Sequence, residues 1–470
     1  MPNLIKNILY NSTYQILLIL LPLITTPYIS RVLGAANIGI YAYYFTFAAY
    51  FVMFSKLGVA NYGSRSIAEV SDSKESLNQT FSEIYGVQFF SSCIAILAYI
   101  ILFFFQTNPQ VYLCAGLYVL SGVLDISWLY FGLEEFKKTA LRSIIIKVLS
   151  VILLFVMVRD KTDILPYTII CCGTHFVTNI ILWMMLPSVN VKLQFRFFKN
   201  SLKHLKSMLV LFLPVIGISL YNYMDKLMLG NMSDMQELGF YQSSESIMFV
   251  PVSLITAIGT VMLPRMSHLY QKNQTRDASR YIMISTWLAV FVVSAFAFGI
   301  IGVSPEFVPV FYGAGFDRCI ILLRILMVAT LFVGMANVIR TQVLLPQKMD
   351  KIYVLSIFCG AGINLGLNIL LIPKYGAVGA SIATVMAECL VFLVQAVYCN
   401  KKEPVLRFIG HSIPFVCIGL AMAILLSFLT ISSSLVLSLI VKVAAGGAFY
   451  LLLSVVYYKF VLINKVISSK

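Results

Sequence analysis

The chain has 470 residues, of which 60% are hydrophobic and 11% charged, against about 25% charged in an ordinary soluble domain. That much apolar surface excludes a water-soluble fold, and because a spanning helix needs about 20 mostly apolar residues, the length leaves room for many membrane spans joined by short connections. The 34 Lys and Arg outnumber the 19 Asp and Glu, for a net charge of +15, a balance that elsewhere points to nucleic acid; here the positions of the cations account for it.

Apolar runs of spanning length fall at 11–33, 38–58, 84–105, 111–131, 141–158, 164–186, 207–230, 243–264, 281–303, 320–341, 352–372, 377–399, 409–430 and 435–458. Every backbone polar group in hydrocarbon must be satisfied within the protein, and runs this long without alternation do not make a barrel, so they read as helices. The first run follows Lys6 but carries Pro22 and Pro27 and lacks a small-residue cleavage site, so it is expected to be a retained helix and not a signal peptide. The prediction is an all-α polytopic membrane protein with about 14 transmembrane helices.

Basic residues collect in cytoplasmic loops, which tests the segmentation. With the amino terminus inside, eight cations fall to the outer half: Arg31, Arg159, Lys161, Lys226, Arg318, Arg324, Lys374 and Lys442. The other 26 of the 34 fall to the cytoplasmic side, among them Lys56, Lys147 and the run from Lys192 to Lys206. Both termini are therefore expected in the cytoplasm. The basicity is topological, and no nucleic-acid partner is expected.

Two stretches are weakly alike. Ser30-Arg31-Val32-Leu33-Gly34 precedes Gly39-Ile40-Tyr41, and Asp225-Lys226-Leu227-Met228-Leu229-Gly230 precedes Gly239-Phe240-Tyr241. Each puts a cation before Leu-Gly and then a Gly-x-Tyr that opens the next helix. The expected organisation is two pseudo-symmetric six-helix lobes, 1–186 and 207–399, joined by a basic cytoplasmic linker at 187–206. Two appended helices and a cytoplasmic tail occupy 400–470. An even number of helices per lobe gives both the same orientation, as in transporters whose halves rock about a shared cavity.

An ionisable side chain at mid-membrane costs about 2.5–3.5 kcal/mol on insertion scales and is a functional candidate by default. Polar residues share helix faces at Asn7, Asn11 and Gln15; at Ser121 and Asp125; at Ser143, Lys147 and Ser150; at Ser219, Asn222 and Lys226; at Gly360, Asn364 and Asn368; and at Ser381, Thr384 and Glu388. Stripes on so many helices point to a wet lumen. Snorkelling competes with this reading for Lys147, Arg31, Lys226 and Arg324, and Lys442 is expected to snorkel outward. Glu245 and Glu388 also have a packing alternative as protonated, hydrogen-bonded acids, and His175 reads first as a packing residue. The nine cysteines show no ligand spacing and no His partner, so no metal site is expected. There is no G-x-x-x-x-G-K-[ST] loop for a nucleotide.

Several further stretches carry a family resemblance: Pro27 to Gly34, Tyr223 to Gly230, Val261-Met262-Leu263-Pro264-Arg265, Phe311-Tyr312-Gly313, Gln342-Val343-Leu344-Leu345-Pro346, and Asn364 through Pro373 to Gly376, Gly379-Ala380 and Glu388. In this order the chain resembles the Wzx-type oligosaccharide flippases, in the polysaccharide-transport branch of the multidrug/oligosaccharidyl-lipid/polysaccharide exporter superfamily. The resemblance implies export of an undecaprenyl-diphosphate-linked repeat unit, for O-antigen, capsule or a related surface polysaccharide, across a bacterial cytoplasmic membrane. It implies no catalytic residues, and partners beyond the lipid-linked substrate and membrane lipid would be a polymerase and a chain-length regulator. A sugar headgroup needs a polar path because its hydroxyls cannot lose their hydrogen bonds, and a diphosphate needs cations. Arg31, Lys147, Lys226 and Arg324 are the candidates, with Asn222, Asn364 and Asn368 for sugar contacts. Moving roughly two negative charges outward down about 100 mV releases on the order of 4–5 kcal/mol. A proton or sodium gradient would add more through Asp125, Asp225, Glu245 or Glu388, and no other cofactor is expected. Rival readings are a multidrug exporter of the same superfamily, which would favour an acidic, aromatic lumen, and a membrane polymerase or acyltransferase, which would need a large outer loop or a catalytic histidine in context.

Overall fold

The apolar runs fold as helices. The computed structural model describes residues 2–429 and 434–462, and the side chains of all of these except 2–20, 136, 137, 221, 461 and 462. The positions Lys6, Asn7, Asn11, Gln15, Lys137, Lys465 and Lys470 therefore lie outside the described side chains. No strand occurs among the described residues.

The first helix, α1 (Pro2–Lys56), has 55 residues and one non-helical residue inside it, Gly34, at φ 74° and ψ 168°. At about 1.5 Å per residue it would measure roughly 80 Å, more than twice the ~30 Å hydrocarbon thickness. The break makes it two spans, because a positive φ that a Cβ would oppose is open to glycine. The remaining helices are α2 (Val59–Glu69), α3 (Lys74–Leu102), α4 (Pro109–Leu124), α5 (Ser127–Gly132), α6 (Phe136–Met157), α7 (Ile164–Met184) and α8 (Leu202–Met232). They are followed by α9 (Met235–Gln271), α10 (Thr275–Phe311), α11 (Arg318–Ile339), α12 (Asp350–Tyr375), α13 (Ala377–Cys399), α14 (Val405–Gly410), α15 (Ile413–Phe428) and α16 (Leu435–Tyr457). Among the described residues, thirteen helical stretches are long and apolar enough to cross a membrane, the first of them running through the Gly34 break. With that one counted as two, the described residues hold the expected fourteen spans.

Exposed side chains on α3 include Phe90, Ile94, Leu97 and Ile101, a contiguous apolar face that water would not tolerate and lipid does. The chain is a multi-pass membrane protein.

By contact the chain groups into two compact units, one of residues 1–25 and 32–230, the other of 26–31 and 231–470. In the first, α8 lies along the second half of α1. A Cβ on Gly58 would sit 3.0 Å from the Met208 carbonyl oxygen, one on Gly230 would collide with the Tyr43 ring, and Phe54 meets Phe212 edge-on. Tyr99 and Tyr112 clasp α3 to α4: their rings stack at 4.0 Å and each hydroxyl donates to the other's carbonyl at 2.6 Å.

In the second unit α12 and α13 form a tight hairpin, where a Cβ on Gly379 would lie 2.5 Å from the Leu371 carbonyl oxygen. The 37-residue α10 packs against α11, α15 and α16, so the two C-terminal spans attach to this unit through one long helix.

Candidate functional site

The fourth span is interrupted. α4 stops at Leu124, Asp125 is extended at φ −78° and ψ 94°, and α5 begins at Ser127, whose N–H donates to Asp125 Oδ1 at 3.0 Å. A helix end within hydrocarbon leaves carbonyls that must find donors, and here side chains supply them. Gln88 of α3 donates to the carbonyls of Gly122 and Asp125 at 2.8 and 3.0 Å, while its own oxygen accepts from Trp128 Nε1 at 3.0 Å. From α7, Asn179 donates to the Ser121 carbonyl and Trp183 Nε1 to that of Leu124, both at 2.9 Å.

The break presents the carboxylate of Asp125 to Lys56, the last residue of α1, and the two form an ion pair. Asp125 is an expected ion-coupling residue; Lys56 stands in the sequence among the cytoplasmic loop cations. His175 of α7 lies within electrostatic reach of Asp125, Lys56 and Lys147, and Lys147 also reaches Cys171.

Aromatic rings continue the surface. Tyr118 lies 4.6 Å from His175 and stacks on Phe45 at 4.8 Å, and Tyr41 meets Tyr167 edge-on at 4.7 Å. All five of these side chains are half-buried. Two cations, one carboxylate and a row of ring faces and hydroxyls suit an anionic, hydroxyl-rich ligand: cations meet phosphate, and rings stack on the apolar faces of sugars.

On α8, Asn222 is exposed, whereas Asp225 and Lys226 are buried and each interacts within the protein. Asp225 acts on Tyr50, whose ring meets that of Tyr223 at 6.0 Å.

The remaining expected site residues belong to the second unit. Arg31 gives two donors to backbone carbonyls, Nη1 to Pro27 at 2.9 Å and Nη2 to Val310 at 2.5 Å, and Ser30 donates to the Tyr312 carbonyl at 2.8 Å. The Arg31 stem lies over Gly313, where a Cβ would approach its Cγ to 2.9 Å. The Ser-Arg of the first motif thus ties this segment to the Phe-Tyr-Gly motif. On α12, Asn368 donates to Asn364 Oδ1 at 3.0 Å, and both are buried. Nearby polar contacts join Gln395 to Ser356 at 2.9 Å and Tyr241 to Thr384 at 3.0 Å. Glu245 is buried on α9 and Glu388 half-buried on α13, each with interactions inside the protein.

Arg324 donates through Nε to Ser304 at 2.9 Å. Lys442 corrects its expected outward snorkel: it is buried, and its Nζ donates to Glu306 at 2.6 Å. A carboxylate eighteen residues before Arg324, on a different helix, gave no sequence signal of that partner. The expected residues are therefore distributed among separate sets of partners. The structure adds Lys56, Glu306 and a third buried carboxylate, Glu83, which accepts from Lys203 at 2.7 Å and lies 3.0 Å from His204.

The family described as "Polysaccharide biosynthesis protein" matches residues 4–270. A protein of Escherichia coli (strain K12) described as "Putative O-antigen transporter" is 26% identical over 414 residues, covering 85% of this chain and 97% of its own. Among solved structures, the lipid II flippase MurJ in an inward closed conformation superposes with a TM-score of 0.78 at 16% identity, over 97% of this chain and 100% of that one. An inward-facing multidrug resistance MATE transporter of the MOP superfamily superposes with a TM-score of 0.67 at 13% identity, over 85% and 98%. The chain is similar in fold to both.

Proposed function

Because the chain belongs to the polysaccharide biosynthesis protein family, we propose that it is a flippase for undecaprenyl-diphosphate-linked oligosaccharide repeat units. It moves them from the inner to the outer leaflet of a bacterial cytoplasmic membrane by alternating access, for assembly of a surface polysaccharide such as O-antigen or capsule. The observation that carries this reading is the interrupted fourth span, where Lys56 and Asp125 form an ion pair within electrostatic reach of His175, whose ring lies against Tyr118. An interrupted span beside substrate-binding groups is a recurrent transporter device. The name carried by the Escherichia coli relative supports the same substrate class.

In this reading the first unit's cations Lys56, Lys147 and Lys226 meet the diphosphate and its exposed Asn222 meets the sugar, while in the second unit Asn364 and Asn368 are buried and bonded to each other. Arg31, with two donors already on carbonyls, holds its segment in place and offers its remaining donors. The chain acts as a transporter and not as an enzyme, with amino and carboxyl termini in the cytoplasm. A proton or sodium ion exchanged at Asp125, Asp225, Glu245 or Glu388 is the proposed coupling, and a polymerase and a chain-length regulator are the proposed assembly partners. The polyprenyl tail stays in lipid, so only the headgroup needs the polar surface.

The test is reconstitution. In liposomes carrying a fluorescent undecaprenyl-diphosphate oligosaccharide, protein-dependent exposure of the sugar to an external lectin is expected. Loss of the signal on Lys56→Met and Lys147→Met at equal protein abundance would support the site, and absence of flipping by the unaltered protein would overturn the function.

A further inference from the structure

A second polar feature stands apart from the interrupted span and is independent of the flipping reaction. In the second unit, α10, α11, α15 and α16 enclose a pocket of about 630 Å³ whose lining includes Glu306, Arg324, Ser438 and Lys442. Lys442 and Glu306 pair through Glu306 Oε1 at 2.6 Å. The other carboxylate oxygen, Oε2, is buried and has no hydrogen-bond partner among the described residues, which is costly for an acceptor, above all a charged one. The guanidinium of Arg324 spends Nε on Ser304, and its two terminal nitrogens have no described partner. The pocket therefore offers a cationic fork and, beside it, a buried acceptor in need of a donor.

The rest of the lining is apolar. Leu420, Ile424 and Leu435 line the pocket, and each is at least half exposed on the protein surface. In a membrane-spanning chain that surface is hydrocarbon, so the pocket opens toward lipid. The occupant that fits carries a phosphate for Arg324 and Lys442, an N–H donor for Glu306 Oε2, and acyl chains for the apolar rim. We propose that this pocket binds the headgroup of an ethanolamine-type phospholipid, with the phosphate on Arg324 and the ammonium on Glu306. The proposal takes Arg324 out of the set of cations that meet the transported diphosphate.

The test is lipid titration of the purified full chain in detergent, read by native mass spectrometry, with dioleoyl phosphatidylethanolamine, phosphatidylcholine and phosphatidylglycerol. The choline nitrogen has no N–H to donate, so the ethanolamine lipid is expected to bind about tenfold tighter or more, the worth of one charged hydrogen bond. Arg324→Gln should weaken the ethanolamine lipid by about tenfold without lowering the melting temperature, since this residue lies at the exposed edge. The double variant Glu306→Gln, Lys442→Met, which keeps the buried pair neutral, should bind the ethanolamine and choline lipids alike. Equal binding of those two lipids by the unaltered chain overturns the proposal, and so does an Arg324→Gln variant that binds as before. Tighter binding of phosphatidylglycerol than of the ethanolamine lipid would mark a plain anion site, and displacement of bound lipid by inorganic phosphate a soluble ligand; either result also overturns it. If the double variant does not fold, the comparison of the three lipids on the unaltered chain and the Arg324→Gln titration still decide.

Discussion

Lys56, the last residue of α1, is ion-paired with Asp125, the residue at which the fourth span loses its helical form. Removing one partner of a fully buried pair costs about 3–5 kcal/mol. Lys56 is 32% exposed, so the cost here is expected to be smaller, about 1–3 kcal/mol. Asp125→Asn and Lys56→Met should each lower the melting temperature in detergent. The double variant should recover part of the loss, because neither charge is then left alone. A double variant whose loss equals the sum of the two singles would show that the two groups do not interact.

Gln88 is the donor on which the interrupted span most depends. Gln88→Leu removes two donations to carbonyls and the acceptor of Trp128 Nε1. With unsatisfied buried groups costing about 1–3 kcal/mol each, a destabilisation of at least about 2 kcal/mol is expected. Denaturant unfolding in mixed micelles would measure it, and a change under about 0.5 kcal/mol would mean that the carbonyls find other donors.

The α12–α13 hairpin admits no side chain at Gly379, where a Cβ would press on the Leu371 backbone. Backbone yields less readily than a side chain, so Gly379→Ala should cost about 1–3 kcal/mol. The control is Gly362→Ala in α12, which has open space around it and should be neutral or slightly stabilising by helix propensity. The comparison is read as the difference in melting temperature between the two variants.

The proposed orientation makes a prediction that needs no substrate. In a variant without its nine cysteines, a single cysteine at Lys161 should react with a membrane-impermeant maleimide from outside intact cells. Single cysteines at Lys272 and Lys351 should react only after permeabilisation. The reverse pattern would invert the topology.

The spans were legible because hydrophobic length and charge bias act on every helix at once. The expected run at 377–399 coincides with α13, and that at 164–186 ends within two residues of α7. Short helices carry no such signal: α2, 11 residues long and following the left-handed residues Leu57 and Gly58, was not expected. Asp125 was legible as a charge in an expensive place. Its partner was not, since Lys56 at the end of a span looks like any loop cation until the fold brings α1 and α4 together. Lys442 is the opposite case, a cation one would send to the surface but for Glu306 on a helix more than a hundred residues away. Pairings between distant segments are set by packing, and local pattern does not record them.

The donors around Asp125 also bear on how the protein can move. Gln88, Asn179 and Trp183 come from α3 and α7 and grip four carbonyls across the last turn of α4. An interruption held from two sides in this way is a welded corner and not a joint. It keeps the carboxylate at one height in the first unit, so any mechanical give within that unit has to come from elsewhere along the chain.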